Sequence, residues 1–87
     1  MIELCNEVTY VLLCENDVYY VGKTKQLHRR LTNHFNNNGS VVTKTFKPIK
    51  VVKLLAGNRE HALVKRGRAK YGKDKCFGGC FHLNSNF

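Results

Sequence analysis

No stretch of this sequence is apolar for long enough to cross a membrane as a helix, and its beginning lacks the basic-then-apolar order of a secretory leader. An intracellular protein, in cytoplasm or nucleus and without membrane contact, is therefore expected. Internal repeats are missing, and the only biased tract is a short run of asparagines. Acidic residues are scarce: six Asp and Glu face fifteen Lys and Arg, a net charge of +9 on 87 residues. That imbalance favours nucleic acid as the partner. A basic surface that serves solubility alone and an anionic membrane surface are the weaker alternatives. So short a chain leaves room for a single domain, residues 1–87, that buries roughly 60% of its unfolded surface or slightly more.

Paired metal-ligand spacings are missing too. Cys5 and Cys14 lie far from Cys76 and Cys80, and the spacing from Cys76 to Cys80 resembles a zinc site only loosely. A reducing compartment argues against disulfides. Cys14 falls in an apolar strand, where a small buried thiol is expected. Cys76, Cys80 and His82 form the one cluster to inspect.

What the sequence does contain is a hairpin followed by a helix. After an uncertain lead, Met1 to Glu7, the run Val8 to Cys14 is rich in strand formers and stops at the polar turn Glu15-Asn16-Asp17. Val18 to Gly22 returns. A three-residue loop pairs Cys14 with Val18, Leu12 with Tyr20 and Tyr10 with Gly22, so Tyr10, Leu12, Tyr20 and Gly22 share a face. With no side chain on Gly22, the Tyr10 hydroxyl is expected to be accessible. Beyond Gly22 the pattern becomes helical: Leu27, Leu31 and Phe35 recur every four residues as a buried stripe. Arg30 and His34, also four apart, project from a neighbouring stripe. A fixed cation and a titratable base thus stand beside a tyrosine-bearing strand, a suitable place to hold a phosphodiester.

Asn36 to Ser40 reads as a turn and Val41 to Lys47 as mostly irregular. Pro48 precedes Ile49 to Leu55, a third strand expected in the middle of the sheet. Asn58 caps a helix from Arg59 to Tyr71 that stops at Gly72, and Gly67 inside it marks close packing. The tail from Lys73 to Phe87 reads as a loop or short strand. The fold class is α/β: a small, mainly antiparallel three-stranded sheet flanked by helices.

The joint spacing of Tyr10, Tyr20, Gly22, Arg30 and His34 resembles the GIY-YIG nuclease domain, in its small stand-alone form. Thr9-Tyr10 stands where that family has its first motif, lacking the usual glycine and isoleucine, and Tyr20-Val21-Gly22 is the second. Arg30 and His34 match the family's arginine and the histidine that often follows it. The resemblance implies a DNA endonuclease that uses one divalent metal, Mg²⁺ or Mn²⁺, with Tyr10 as the base that deprotonates water. One position departs. The family's metal-binding glutamate comes four residues after an alanine, and four after Ala62 stands Arg66, which would repel a cation. Glu60 is the nearest carboxylate in that helix. It is a candidate ligand or simply an acid suited to a helix N-terminus.

Residue chemistry agrees with hydrolysis of a phosphodiester. Tyrosine is a poor base unless nearby cations lower its pKa, and Arg30, Lys23 and a metal are expected to do so. Arg30 offers a planar fork to phosphate oxygens. His34 can hydrogen-bond phosphate or Tyr10, or relay a proton. Tyr20 orients water or packs beneath the site. Lys25, Arg29, Lys44, Arg66 and Arg68 are the candidate DNA-backbone contacts. The protein is expected to act as a monomer or homodimer. The rival readings are a nonenzymatic DNA-binding module without a metal and an interaction domain for an acidic protein.

Overall fold

The structure is a computed structural model and describes residues 7–36 and 39–78. Strands β1 (Val8–Cys14) and β2 (Val18–Thr24) form an antiparallel hairpin, joined by a tight turn over Glu15–Asp17. Asn16 and Asp17 both adopt positive φ there, which short polar side chains tolerate better than branched ones. The register is the expected one: Tyr10 faces Gly22, Leu12 faces Tyr20 and Cys14 faces Val18. Alternation therefore puts both tyrosines on one face of the sheet.

Helix α1 (Leu27–Phe35) follows at once, the turn into it being held by the Gln26 N–H, which donates to the Thr24 hydroxyl at 2.9 Å. Its orientation differs from the expected stripe. Leu27 and Leu31 are half-buried against the core, but Phe35 is 44% exposed and His34 is the residue fully buried. The helix is turned so that its Arg30–His34 edge also faces the sheet, toward the tyrosines. Helix α2 (Val41–Thr45) occupies a segment expected to be irregular. Ser40 supplies the reason: its hydroxyl accepts the Thr43 N–H at 3.1 Å, and the Thr43 hydroxyl accepts the Ser40 N–H at 3.1 Å, a reciprocal cap.

The sheet has four strands, not three, in the order β3-β1-β2-β4. Strand β3 (Pro48–Ala56) pairs antiparallel with β1 and stands at an edge rather than in the middle. Its Lys50 and Lys53, and 57%, 42% and 51% exposure of Ile49, Val52 and Leu54, suit an edge, as does the register shift opposite Val11 and Leu12. Strand β4 (Cys76–Gly78) lies parallel to β2 at the other edge, within the tail. Three residues give little pattern to read. Gly78 suits the place because a Cβ there would collide with the Val21 carbonyl.

Helix α3 (Glu60–Tyr71) covers the opposite face of the sheet, where Val64 packs with Val21 and Cys76. The Asn58 side chain accepts the Glu60 N–H at 3.3 Å, and Gly72 ends the helix at φ 104°. Gly67 does mark close packing: a Cβ there would strike the Cys76 sulfur. On the tyrosine face the core is Tyr10, Leu12, Cys14, Val18, Tyr20, Val42 and Phe77. Cys14 is a buried free thiol, pushed up to about 11 chiefly by burial. Cys5, Cys80 and His82 lie outside the described residues, so the Cys76–Cys80–His82 cluster does too.

Candidate active site

Tyr10, Tyr20, Arg30 and His34 meet on the face that α1 and α2 cover. The Tyr10 and Tyr20 ring centroids are 6.4 Å apart, and the His34 ring lies 5.5 Å from the first and 5.1 Å from the second. The Tyr10 hydroxyl and His34 Nε2 are hydrogen-bonded at 2.7 Å, and His34 Nδ1 is 3.0 Å from the Thr43 hydroxyl. Two glycines make this possible. A Cβ at Gly22 would collide with the Tyr10 hydroxyl, and one at Gly39 with the His34 ring. The half-buried Arg30 guanidinium stabilises the ionised forms of both tyrosines by hydrogen bonding and charge.

Burial outweighs that help. Tyr10 is 1% exposed, so its hydroxyl is not the accessible group expected from the bare Gly22 opposite it. Its pKa is pushed up to about 12, first by burial and then by the neighbouring Tyr20, while Arg30 pulls it down less. Tyr20 is raised as well, again chiefly by burial. Arg30 does lower both tyrosines as expected, but burial penalises the phenolates more than one guanidinium rewards them, so both stay raised. His34 is held down at about 4, by burial first and by Arg30 second, and is neutral at physiological pH.

The two positions that matter for a metal separate clearly. Glu60 is half-buried in the first turn of α3, and its charge is felt by both Tyr10 and Tyr20, raising each. Arg66 instead lines a cavity of about 330 Å³ on the α3 face of the sheet, with Lys53 and Lys70, above Tyr19 and Val21. The cation at the departing position therefore does not face the tyrosine cluster. Among the described residues no group of three or more His, Cys, Asp and Glu converges.

Other expected residues scatter. Lys23 pairs with Thr9, on the face away from the tyrosines, and is exposed. Lys25, Arg29 and Lys44 are exposed on the α1 and α2 side. Arg68 is tied down, donating to the Cys76 carbonyl at 3.0 Å. Three further residues support the cluster. Ser40 and Thr43 back His34, and their spacing is that of a helix cap. Thr9 is buried; its hydroxyl donates to the Gly57 carbonyl at 2.6 Å and accepts the Arg59 N–H at 2.7 Å, fixing where α3 and Glu60 begin. Nothing in a strand pattern distinguishes such a threonine from its neighbours.

A family model described as the GIY-YIG catalytic domain matches residues 6–68, with the whole cluster inside it. The chain belongs to the GIY-YIG family. As a class, GIY-YIG nucleases generally use divalent metals. A UPF0213 protein of Neisseria meningitidis serogroup C is 31% identical over 61 residues, 70% of this chain and 66% of that protein. UPF0213 protein YazA of Bacillus subtilis is 32% identical over 50 residues, 58% of this chain and 50% of its own. A UPF0213 protein of Lactococcus lactis subsp. cremoris reaches 41% over 44 residues, 51% of this chain and 45% of that one. The match thus spans less than two thirds of the length of these GIY-YIG relatives. No solved structure matches the chain. Among the described residues, no helix is long and apolar enough to cross a membrane.

Proposed function

We propose that this chain is a divalent-metal-dependent DNA endonuclease and that Tyr10, Tyr20, Arg30 and His34 are its catalytic residues. The observation that carries the reading is their convergence: two phenols, a guanidinium and an imidazole, drawn from a hairpin and the helix behind it, within one hydrogen-bonded cluster. The scissile phosphate binds Arg30, whose fork matches phosphoryl oxygens and stabilises charge that grows in the transition state. Engaging the phosphate draws the guanidinium from the phenols and opens Tyr10 to the attacking water. Because Tyr10 is not ionised at rest, it takes the proton of water while passing its own to His34 Nε2. The water oxygen bonds to phosphorus, the opposite P–O bond breaks, and the leaving oxygen is reprotonated from His34 or solvent. Tyr20 orients the water. Lys25, Arg29 and Lys44 hold the DNA backbone beside the site.

A single carboxylate, Glu60, half-buried in the first turn of α3, is the candidate ligand for a divalent metal. Mg²⁺ commonly takes one or two carboxylates and keeps its remaining positions for water and substrate phosphate. Glu60, the carboxylate whose field reaches both tyrosines, would hold it. Bound there, the metal supplies Lewis acidity at the phosphoryl and departing oxygens.

The second reading, DNA binding without cleavage, draws on Arg66 standing where the family's carboxylate is expected. Supercoiled plasmid and branched DNA, incubated with Mg²⁺ or Mn²⁺ and then with EDTA, separate the two. Nicking that needs the metal and falls a hundredfold or more in Arg30→Ala, about 3 kcal/mol of lost transition-state stabilisation, supports the enzyme. Tight binding without cutting in either metal supports the rival.

A further inference from the structure

The His34 ring is fully buried with a partner on each nitrogen: the Tyr10 hydroxyl at Nε2 and the Thr43 hydroxyl at Nδ1. A neutral imidazole carries one proton, so one nitrogen donates and the other accepts. On the Tyr10 side the neighbouring Arg30 has only protons to offer. No acceptor other than His34 reaches the Tyr10 hydroxyl among the described residues. Its proton therefore belongs on the line to Nε2. On the Thr43 side the hydroxyl oxygen already accepts the Ser40 N–H at 3.1 Å. Its own proton has an acceptor in the Ser40 carbonyl at 3.3 Å or the Ser40 hydroxyl at 3.1 Å. That leaves a lone pair on the Thr43 oxygen for Nδ1–H at 3.0 Å. Every donor around the ring then has an acceptor. The opposite tautomer strands the Tyr10 proton in a buried site, which costs about 1–3 kcal/mol.

We infer that Thr43, braced by Ser40, is a positioning residue of this site: it holds His34 as the Nδ1–H tautomer, so that a bare Nε2 faces the Tyr10 hydroxyl. In the proposed hydrolysis, on which the catalytic part of this inference rests, Nε2 is the atom that receives the Tyr10 proton as Tyr10 takes one from water. Thr43 also belongs to the reciprocal cap of α2, so the helix start and the tautomer are set by the same hydroxyl.

Side-chain ¹⁵N spectra of the full chain at neutral pH read the tautomer directly, with His34 assigned among the four histidines by a His34→Gln variant. The wild type should show Nδ1 protonated and Nε2 bare. Thr43→Val, which keeps the shape and removes the hydroxyl, should shift His34 toward the Nε2–H form and lower plasmid nicking at least tenfold. Thr43→Ser should restore both. A wild-type His34 protonated at Nε2 overturns the inference, even where Thr43→Val fails to fold. So does unchanged tautomer and nicking in Thr43→Val, or equal loss in Thr43→Val and Thr43→Ser. Should the wild type cut no DNA in any metal, the nuclease reading fails, and the spectra still decide the role of Thr43.

Discussion

At the scale of single residues, His34 has an environment that few surface histidines share. It is buried, hydrogen-bonded on both sides, and held at about 4 against an ordinary 6.5 by burial and by Arg30. The unfolded chain takes up that proton near pH 6.5 and the folded chain only near pH 4, so between those values the unfolded state binds more protons. Stability contributed by His34 should therefore fall as pH drops from 6.5 to 4, by up to about 3 kcal/mol. Urea unfolding at pH 7 and pH 4.5 checks this, with His34→Gln losing most of the difference. That Tyr10, Tyr20, Arg30 and His34 come close together was legible in the sequence, because spacing brings them to one face. Their protonation was not. It depends on how deeply α1 and α2 bury them, and the rotation of α1 that exposes Phe35 and hides His34 is a tertiary outcome.

At the scale of elements, the hairpin was legible to the residue, since a polar three-residue turn and period-two alternation fix its register. From sequence the third strand reads as a central one, because its apolar content resembles a core strand. Lys50 and Lys53 carried the better signal, as edges are kept charged. Helix α2 was hidden because five residues are too few for a periodic pattern, and only the Ser40–Thr43 cap announces it. Gly67 shows how packing overrides propensity. Alanine in a helix interior is favoured over glycine by about 1 kcal/mol, but here the added methyl meets the Cys76 sulfur under β4. Overpacking of that kind costs about 1–3 kcal/mol. Gly67→Ala should destabilise the chain, and in a Cys76→Ala background the penalty should shrink or reverse, as thermal unfolding of the four combinations would show.

At the scale of the whole molecule, the sheet divides the protein into two unlike faces. One carries the tyrosine cluster under α1 and α2; the other carries α3 and a cavity rimmed by Lys53, Arg66 and Lys70. The net charge of +9 was plain from composition, but its distribution over the two faces was not, since that needs the path of the chain. Lys25, Arg29 and Lys44 stay on the side of the tyrosine cluster and exposed. With Arg30 they allow about four phosphate contacts, so log K for duplex DNA should fall with log salt at a slope of about −3 to −4. Arg29→Ala should reduce that slope by about one, as titrations at several salt concentrations would reveal.

The central claim is that one buried constellation performs the hydrolysis, and removing a single oxygen from it is the most direct test. Plasmid nicking by Tyr10→Phe, measured beside the wild type in Mg²⁺ and Mn²⁺, should fall by about a hundredfold or more, the scale of a lost general base, while DNA binding persists. Nicking by Tyr10→Phe at the wild-type rate would contradict it.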